Sequence, residues 1–129
     1  MRTTLLALAA LTLCMLTPNT QAADAPTKGK TLYHLVFFKF KPDAPKERID
    51  AVGKAIVDLK GKIPSIASVS WGTNVSPEKK DKGYTHAIVM TFKDEKGRDE
   101  YLPHPDHKAF GGTLKGIVDD VLVFDVWGE

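Results

Sequence analysis

Residues 31–41, TLYHLVFFKFK, constrain the fold more than any other stretch of the 129-residue chain. The even positions are Leu32, His34, Val36, Phe38 and Phe40; the odd positions include Tyr33, Leu35 and Phe37. An antiparallel strand with one face in water alternates apolar and polar residues. This one is apolar on both faces, so it belongs inside a sheet that is covered on both sides, and something must do the covering.

The next segment supplies one cover. Pro42-Asp43-Ala44-Pro45 opens a helix, with Asp43 or Ala44 near the cap and Pro45 in the first turn. Ile49, Val52, Ile56, Leu59 and Ile63 follow at spacings of three and four, and Gly61 and Pro64 end the run. Such a helix has a single apolar stripe and can shield only one face of a sheet.

A second strand is expected over residues 66–75, with Ala67, Val69 and Trp71 on one face and Ser68 and Ser70 on the other. Residues 76–83 read as a charged, solvated and mobile loop. The third strand spans 84–92, with Tyr84, His86, Ile88, Met90 and Phe92 on one face. Asp94 caps a short helix running to residue 102, which Gly97 weakens. Pro103 and Pro105 break it, and a further helical piece runs from 105 to about 118. Residues 121–127, VLVFDVW, form the last strand, with Asp125 as its charge.

The order strand, helix, strand, strand, broken helix, strand is that of an α+β, ferredoxin-like split βαβ fold: a four-stranded antiparallel sheet with helices on one face. The other face carries Leu35, Phe37, Ala87 and Val89, with Val69 and Trp71 expected to join them. That face is too apolar to be left in water. The simplest cover is a second copy, sheet to sheet about a two-fold axis, so a homodimer forming a dimeric α/β barrel is expected.

Residues 1–22 read as a signal peptide. Arg2 is a positive start, residues 5–16 an apolar run too short to span a membrane, and Gln21-Ala22-Ala23 a small-residue cleavage site. Residues 23–30 are a flexible lead-in, and 31–129 form one domain. Cys14 lies in the signal, so a domain cut after Ala22 has no disulfide to stabilise it. Periplasmic or secreted localisation follows, with no membrane anchor once the signal is gone. Without Arg2 the chain has 17 basic and 16 acidic residues, a net charge of +1, which gives no electrostatic basis for nucleic-acid binding.

Five polar residues do not fit a plain core. His34 and His86 share the parity of the large apolar residues of their strands, so a helix-covered face buries both. Tyr101 ends one helical piece, His107 begins the next, and Asp125 can approach from the last strand. A buried imidazole is costly unless hydrogen-bonded. Two core histidines satisfied by carbonyls or tyrosine would meet that demand, and so would a site where these groups converge. His104 and His107 are three apart, but Pro105 intervenes and no thiolate or Glu cluster joins them, so no metal is expected. No phosphate-binding glycine loop or Gly-x-Ser-x-Gly elbow is present, and no cofactor is expected.

The opening His34-Leu35-Val36-Phe37-Phe38-Lys39-Phe40 joins four later runs in this order: Trp71-Gly72-Thr73-Asn74-Val75-Ser76, Gly83-Tyr84-Thr85-His86-Ala87, residues 101–110 (YLPHPDHKAF) and Phe124-Asp125. Together these residues resemble the stress-responsive A/B barrel (Dabb) family over nearly all of the chain beyond the signal. The resemblance implies a ferredoxin-like subunit and a dimer whose two sheets form a barrel, and it implies no single activity. The family includes a plant polyketide cyclase. By likeness to it, His107 stands at the position of the catalytic histidine and Tyr101 at that of the tyrosine. His34, His86 and Asp125 stand at polar ligand-binding positions, and Ile56 replaces a further tyrosine. Two functions follow as expectations. One is an exported dimer binding a small apolar or aromatic ligand in a pocket lined by His and Tyr. The alternative is a cofactor-free enzyme, in which His107 removes a proton next to a carbonyl and Tyr101 stabilises the enolate. A cofactor-free oxygenase stands behind both, on fold analogy alone.

Overall fold

The computed structural model describes residues 29–128. The signal expected at 1–22, with Cys14, lies outside the described residues, as does most of the lead-in. The elements are β1 (Thr31–Phe40), α1 (Lys46–Lys62), β2 (Ile66–Thr73), β3 (His86–Phe92), α2 (Glu95–Tyr101), α3 (Pro105–Thr113) and β4 (Val118–Gly128). The sheet is antiparallel in the order β2-β3-β1-β4. β1, apolar on both faces, is thus an interior strand.

The helices cover the even face of β1. Leu32, Val36 and Phe38 are buried there with Ile88, Met90 and Phe92 of β3 and with Val52, Ile56, Leu59 and Ile63 from α1 and its end. The stripe read at spacings of three and four is the one that α1 buries. Its N-cap, Pro45, contributes no side-chain bond. Instead Arg48 reaches from its first turn to α3, donating to the Thr113 and Lys115 carbonyls at 3.2 and 3.0 Å. Those are the acceptors that a helix end leaves unpaired.

Val69 and Trp71 are not on the outer face, contrary to the sequence expectation. They pair with Met90 and Ile88, core residues of β3, and therefore point toward α1. A register irregularity between Ile66 and Ser68 sets this facing: Ile66 stays in the core opposite Phe92, and the strand resumes its alternation one residue later. Gly53 makes room for the indole. A Cβ there would lie 2.5 Å from Trp71 Nε1.

α3 stops at Thr113, well short of residue 118, and β4 begins at Val118 rather than 121. Gly116 takes a positive φ of 83°, which only glycine adopts freely, and the Ile117 carbonyl then accepts from Lys41 N at 2.9 Å. The earlier start adds Asp119 and Asp120 to the strand. β2 and β3 are each two residues shorter than read, ending at Thr73 and starting at His86.

The outer face carries Leu35, Phe37, Ala87 and Val89, as read, together with Leu122, Phe124 and Val126, which pair with Phe37, Leu35 and Tyr33. Phe124 is 56% exposed. The helices also stop short of β4, so Val121 and Val123 on its inner side are open. Among the described residues no helix is long and apolar enough to cross a membrane.

Candidate functional site

The break between α2 and α3 builds the site. α2 starts at Asp94, whose side chain accepts from Gly97 N at 2.9 Å. Gly97 packs against Ser65 at the end of α1's connection to β2. Pro103 and Pro105 prevent α2 from continuing. His104 then caps α3, its Nδ1 accepting from Asp106 N at 3.2 Å, with Pro105 in the first position. His104 is therefore occupied structurally.

His107 lies in the first turn of α3. Its Nδ1 is 2.9 Å from the Leu102 carbonyl, an acceptor freed by the end of α2. A carbonyl only accepts, so Nδ1 carries the proton and donates it. In the neutral ring, Nε2 is then left with its lone pair. The ring lies 4.1 Å from that of Tyr101.

Tyr101 ends α2 and is 2% exposed, against Phe92 at 5.3 Å and His34 at 5.7 Å between ring centroids. Burial pushes its phenol well above the ordinary tyrosine range, so it stays protonated. Its hydroxyl has no hydrogen-bond partner among the described residues.

Below Tyr101 lies a charged relay. His34 is 4% exposed, and its Nδ1 is 2.6 Å from Asp125 Oδ1, directly across the β1–β4 pair. The carboxylate accepts a hydrogen bond from Nδ1–H and fixes the ring. Arg98 Nη1 donates to Asp125 Oδ2 at 3.1 Å, while its Nε and Nη2 donate to Asp99 at 3.0 and 2.9 Å. Burial opposes the charge on Arg98, but the bonds to Asp99 and Asp125 outweigh it and raise its pKa. Arg98 went unread in the sequence. The signal was its spacing: three residues before Tyr101, it lies on the same face of one helix.

The structure thus brings together His34, Asp125, Tyr101 and His107, and adds Arg98. It leaves His86 apart. His86 pairs with Phe38, four residues along β1 from His34, or about 13 Å at strand rise. Its ring stacks on Trp71 at 5.2 Å and meets Phe40 edge-on, and Nδ1 is 2.8 Å from Thr85 Oγ1. Burial lowers its pKa, with Asp50 partly opposing. Ile56 is wholly enclosed in the hydrocarbon core. No cluster of three or more metal-ligating side chains occurs among the described residues.

Comparison with known proteins places this geometry. Residues 32–127 match the family model of the Stress responsive A/B Barrel Domain. The olivetolic acid cyclase of Cannabis sativa is 33% identical over 92 residues, 71% of this chain and 91% of the cyclase. The crystal structure of At3g17210 from Arabidopsis thaliana superposes with a TM-score of 0.71 at 32% identity, covering 76% of this chain and 95% of that one. A dimeric ferredoxin-like protein of unknown function from Jannaschia sp. CCS1 superposes with a TM-score of 0.62 at 29% identity, covering 74% and 97%.

Proposed function

The chain belongs to the stress-responsive A/B barrel family, and from that premise we propose that it acts as an exported homodimer that binds a small apolar or aromatic molecule against Tyr101 and His107. The observation that carries the reading is the pair itself. An unpartnered phenol and an imidazole with a free Nε2 stand 4.1 Å apart, ring to ring, at a helix break. Such a pair offers one donor and one acceptor to a ligand that is otherwise held by hydrocarbon.

The homodimer is supported by the open apolar outer face, where Leu122, Phe124 and Val126 are exposed, and by the similar Jannaschia protein, which is described as dimeric. Export rests on the sequence of residues 1–22 alone. Sedimentation velocity tests the dimer, and recovery of the chain from a periplasmic extract tests export.

Binding is tested by thermal shift with a panel of phenols and aryl ketones. A ligand at a hundred times its Kd adds about 2.7 kcal/mol of stability. Wild type should gain that, and His107→Ala and Tyr101→Phe should lose most of the gain. Equal stabilisation of all three proteins refutes the reading.

A second reading is favoured by one observation, the Leu102 carbonyl that fixes the His107 tautomer. A base must keep its lone pair toward the substrate. His107 Nε2 would take a proton from the carbon next to a carbonyl. The C–H electron pair would form the enolate, and Tyr101 O–H would donate to its oxygen. The enolate carbon would then attack a second carbonyl of the same molecule, whose π electrons move to its oxygen, and the imidazolium would give its proton to that oxygen. The cyclase among the relatives supports this chemistry. The assay is deuterium exchange at that carbon in D2O, which His107→Ala should slow by about 10²-fold or more.

A further inference from the structure

The helix side of the sheet holds a second recess, away from the helix break. Along α1, Asp50, Lys54, Val57 and Asp58 follow at helical spacing and share one face. That face overhangs Trp71 of β2, and Gly53, having no side chain, leaves space beside the indole. Together they bound a cleft of about 360 Å³, the size at which small-molecule sites begin. β2 is an outer strand, so the cleft lies at the edge of the sheet. A second copy packed on the opposite face of the sheet leaves it open.

Trp71 decides the ligand class. Its ring meets Phe38, Phe40 and His86 at 5.7, 6.5 and 5.2 Å, all of them on β1 and β3. His86 stacks on the indole with 28° between the planes, so one indole face is covered from the β3 side. The other face turns toward the sheet edge and into the cleft. A cation is drawn to the electron-rich face of an aromatic ring, most strongly to that of tryptophan. Burial lowers the His86 pKa, with Asp50 partly opposing, so at pH 7 the imidazole behind the indole is neutral and does not compete.

The charges of the lining agree with a cationic guest. The cleft has two carboxylates and one ammonium. Asp58 makes no ion pair among the described residues. Asp50 is shared with Lys46 at 2.5 Å, an exposed pair that water and salt exchange readily. Lys54, exposed and four residues from each carboxylate, is the competing cation. A primary ammonium needs acceptors for three N–H donors. The floor of indole and Val57 offers none, whereas methyl groups on nitrogen would pack on it.

We propose that this cleft binds an alkylated ammonium group, with its methyl groups on Trp71 and Val57 and its charge toward Asp58 and Asp50. His86, remote from the helix break, backs this second site.

The test is an NMR titration of the full chain with choline and with its neutral isostere 3,3-dimethyl-1-butanol. The Trp71 indole N–H and the amides of residues 50–58 should shift and saturate, and choline should bind about fivefold more tightly than the alcohol. Asp58→Asn, at an exposed position where the fold is retained, should erase most of that preference, and Lys54→Met should enlarge it. Trp71→Leu should abolish choline binding, while His107→Ala should bind choline as wild type does. Co-sedimentation with phosphatidylcholine vesicles would assign the group to a lipid head group, and choline binding without it to a free molecule. Equal affinity for the two probes, a preference unchanged in Asp58→Asn, or shifts centred on Tyr101 and His107 would overturn the proposal.

Discussion

Replacing Asp125 by alanine tests the relay under the helix break most directly. Asp125 accepts a hydrogen bond from His34 Nδ1–H at 2.6 Å and one guanidinium bond from Arg98 at 3.1 Å. His34 is 4% exposed, so without the carboxylate its ring N–H has no acceptor and little water. A hydrogen bond to a charged group contributes about 1.5–3 kcal/mol, and stranding the buried donor costs a comparable amount when only one partner is removed. Arg98 loses less, because Asp99 still holds two of its nitrogens. Asp125→Ala should therefore cost about 2–3 kcal/mol. For a domain near 100 residues that is roughly 10–20 °C in Tm. The control is His34→Phe, an apolar ring placed against Phe92 and Tyr101 with no donor to satisfy. In that background Asp125→Ala should cost only about 0.5–1 kcal/mol, giving a coupling of about 1–2.5 kcal/mol. Urea unfolding followed by circular dichroism at pH 7 measures all four proteins. Equal costs of Asp125→Ala in the two backgrounds would show that the pair is incidental, and the account of a fixed His34 would fail.

The other predictions concern packing, charge and pH. Gly53→Ala should destabilise by about 1–3 kcal/mol, since the new methyl group meets the Trp71 indole; unchanged Tm would mean that the indole moves aside freely. Burial lowers the His86 pKa, so below pH ~6.5 the unfolded chain takes up the proton first and stability falls as pH drops; His86→Gln should flatten that slope in a pH series of Tm. Tyr101 behaves in the opposite sense: its raised pKa means that stability is full below pH ~10 and declines above it, and Tyr101→Phe should remove its share of the alkaline loss. Arg98→Met should weaken binding in the thermal-shift assay and slow exchange at the Tyr101–His107 pair, because it removes a bond that holds Asp125 against His34.

The fold was legible because its signals are local and periodic. The two apolar faces of β1, the single stripe of α1 and the proline-marked break each specify one element, and their order leaves few topologies. What was misread depends on partners remote in sequence. The alternation of Val69 and Trp71 was correct, but alternation gives two faces without saying which is the inner one. The register irregularity after Ile66 and the opposing Gly53 decide that, and neither is visible within β2. Likewise the apolar run of α3 continues past Thr113 in the sequence. The competing claim comes from Lys41, the residue after β1, whose amide donates to the Ile117 carbonyl and draws it toward the sheet.

The site divides along the same line. His34 and Asp125 lie opposite each other only when the β1–β4 register is known, and that register contains a slip between Lys39 and Phe40. Parity correctly put His34 and His86 on one face, yet a shared face is not a shared place: four residues of strand separate them. That separation assigns the work differently. Tyr101 and His107 come from adjacent helices and touch ring to ring, whereas His34 depends on Asp125, and Asp125 on Arg98. A change in β4 should therefore reach the pair only through His34, by altering how firmly Tyr101 is backed, and a change in the helix break should reach it directly. Substitutions at Asp125 and at His107 thus separate support from contact. The first should lower stability and loosen binding together, and the second should loosen binding while the core under Tyr101 stays packed.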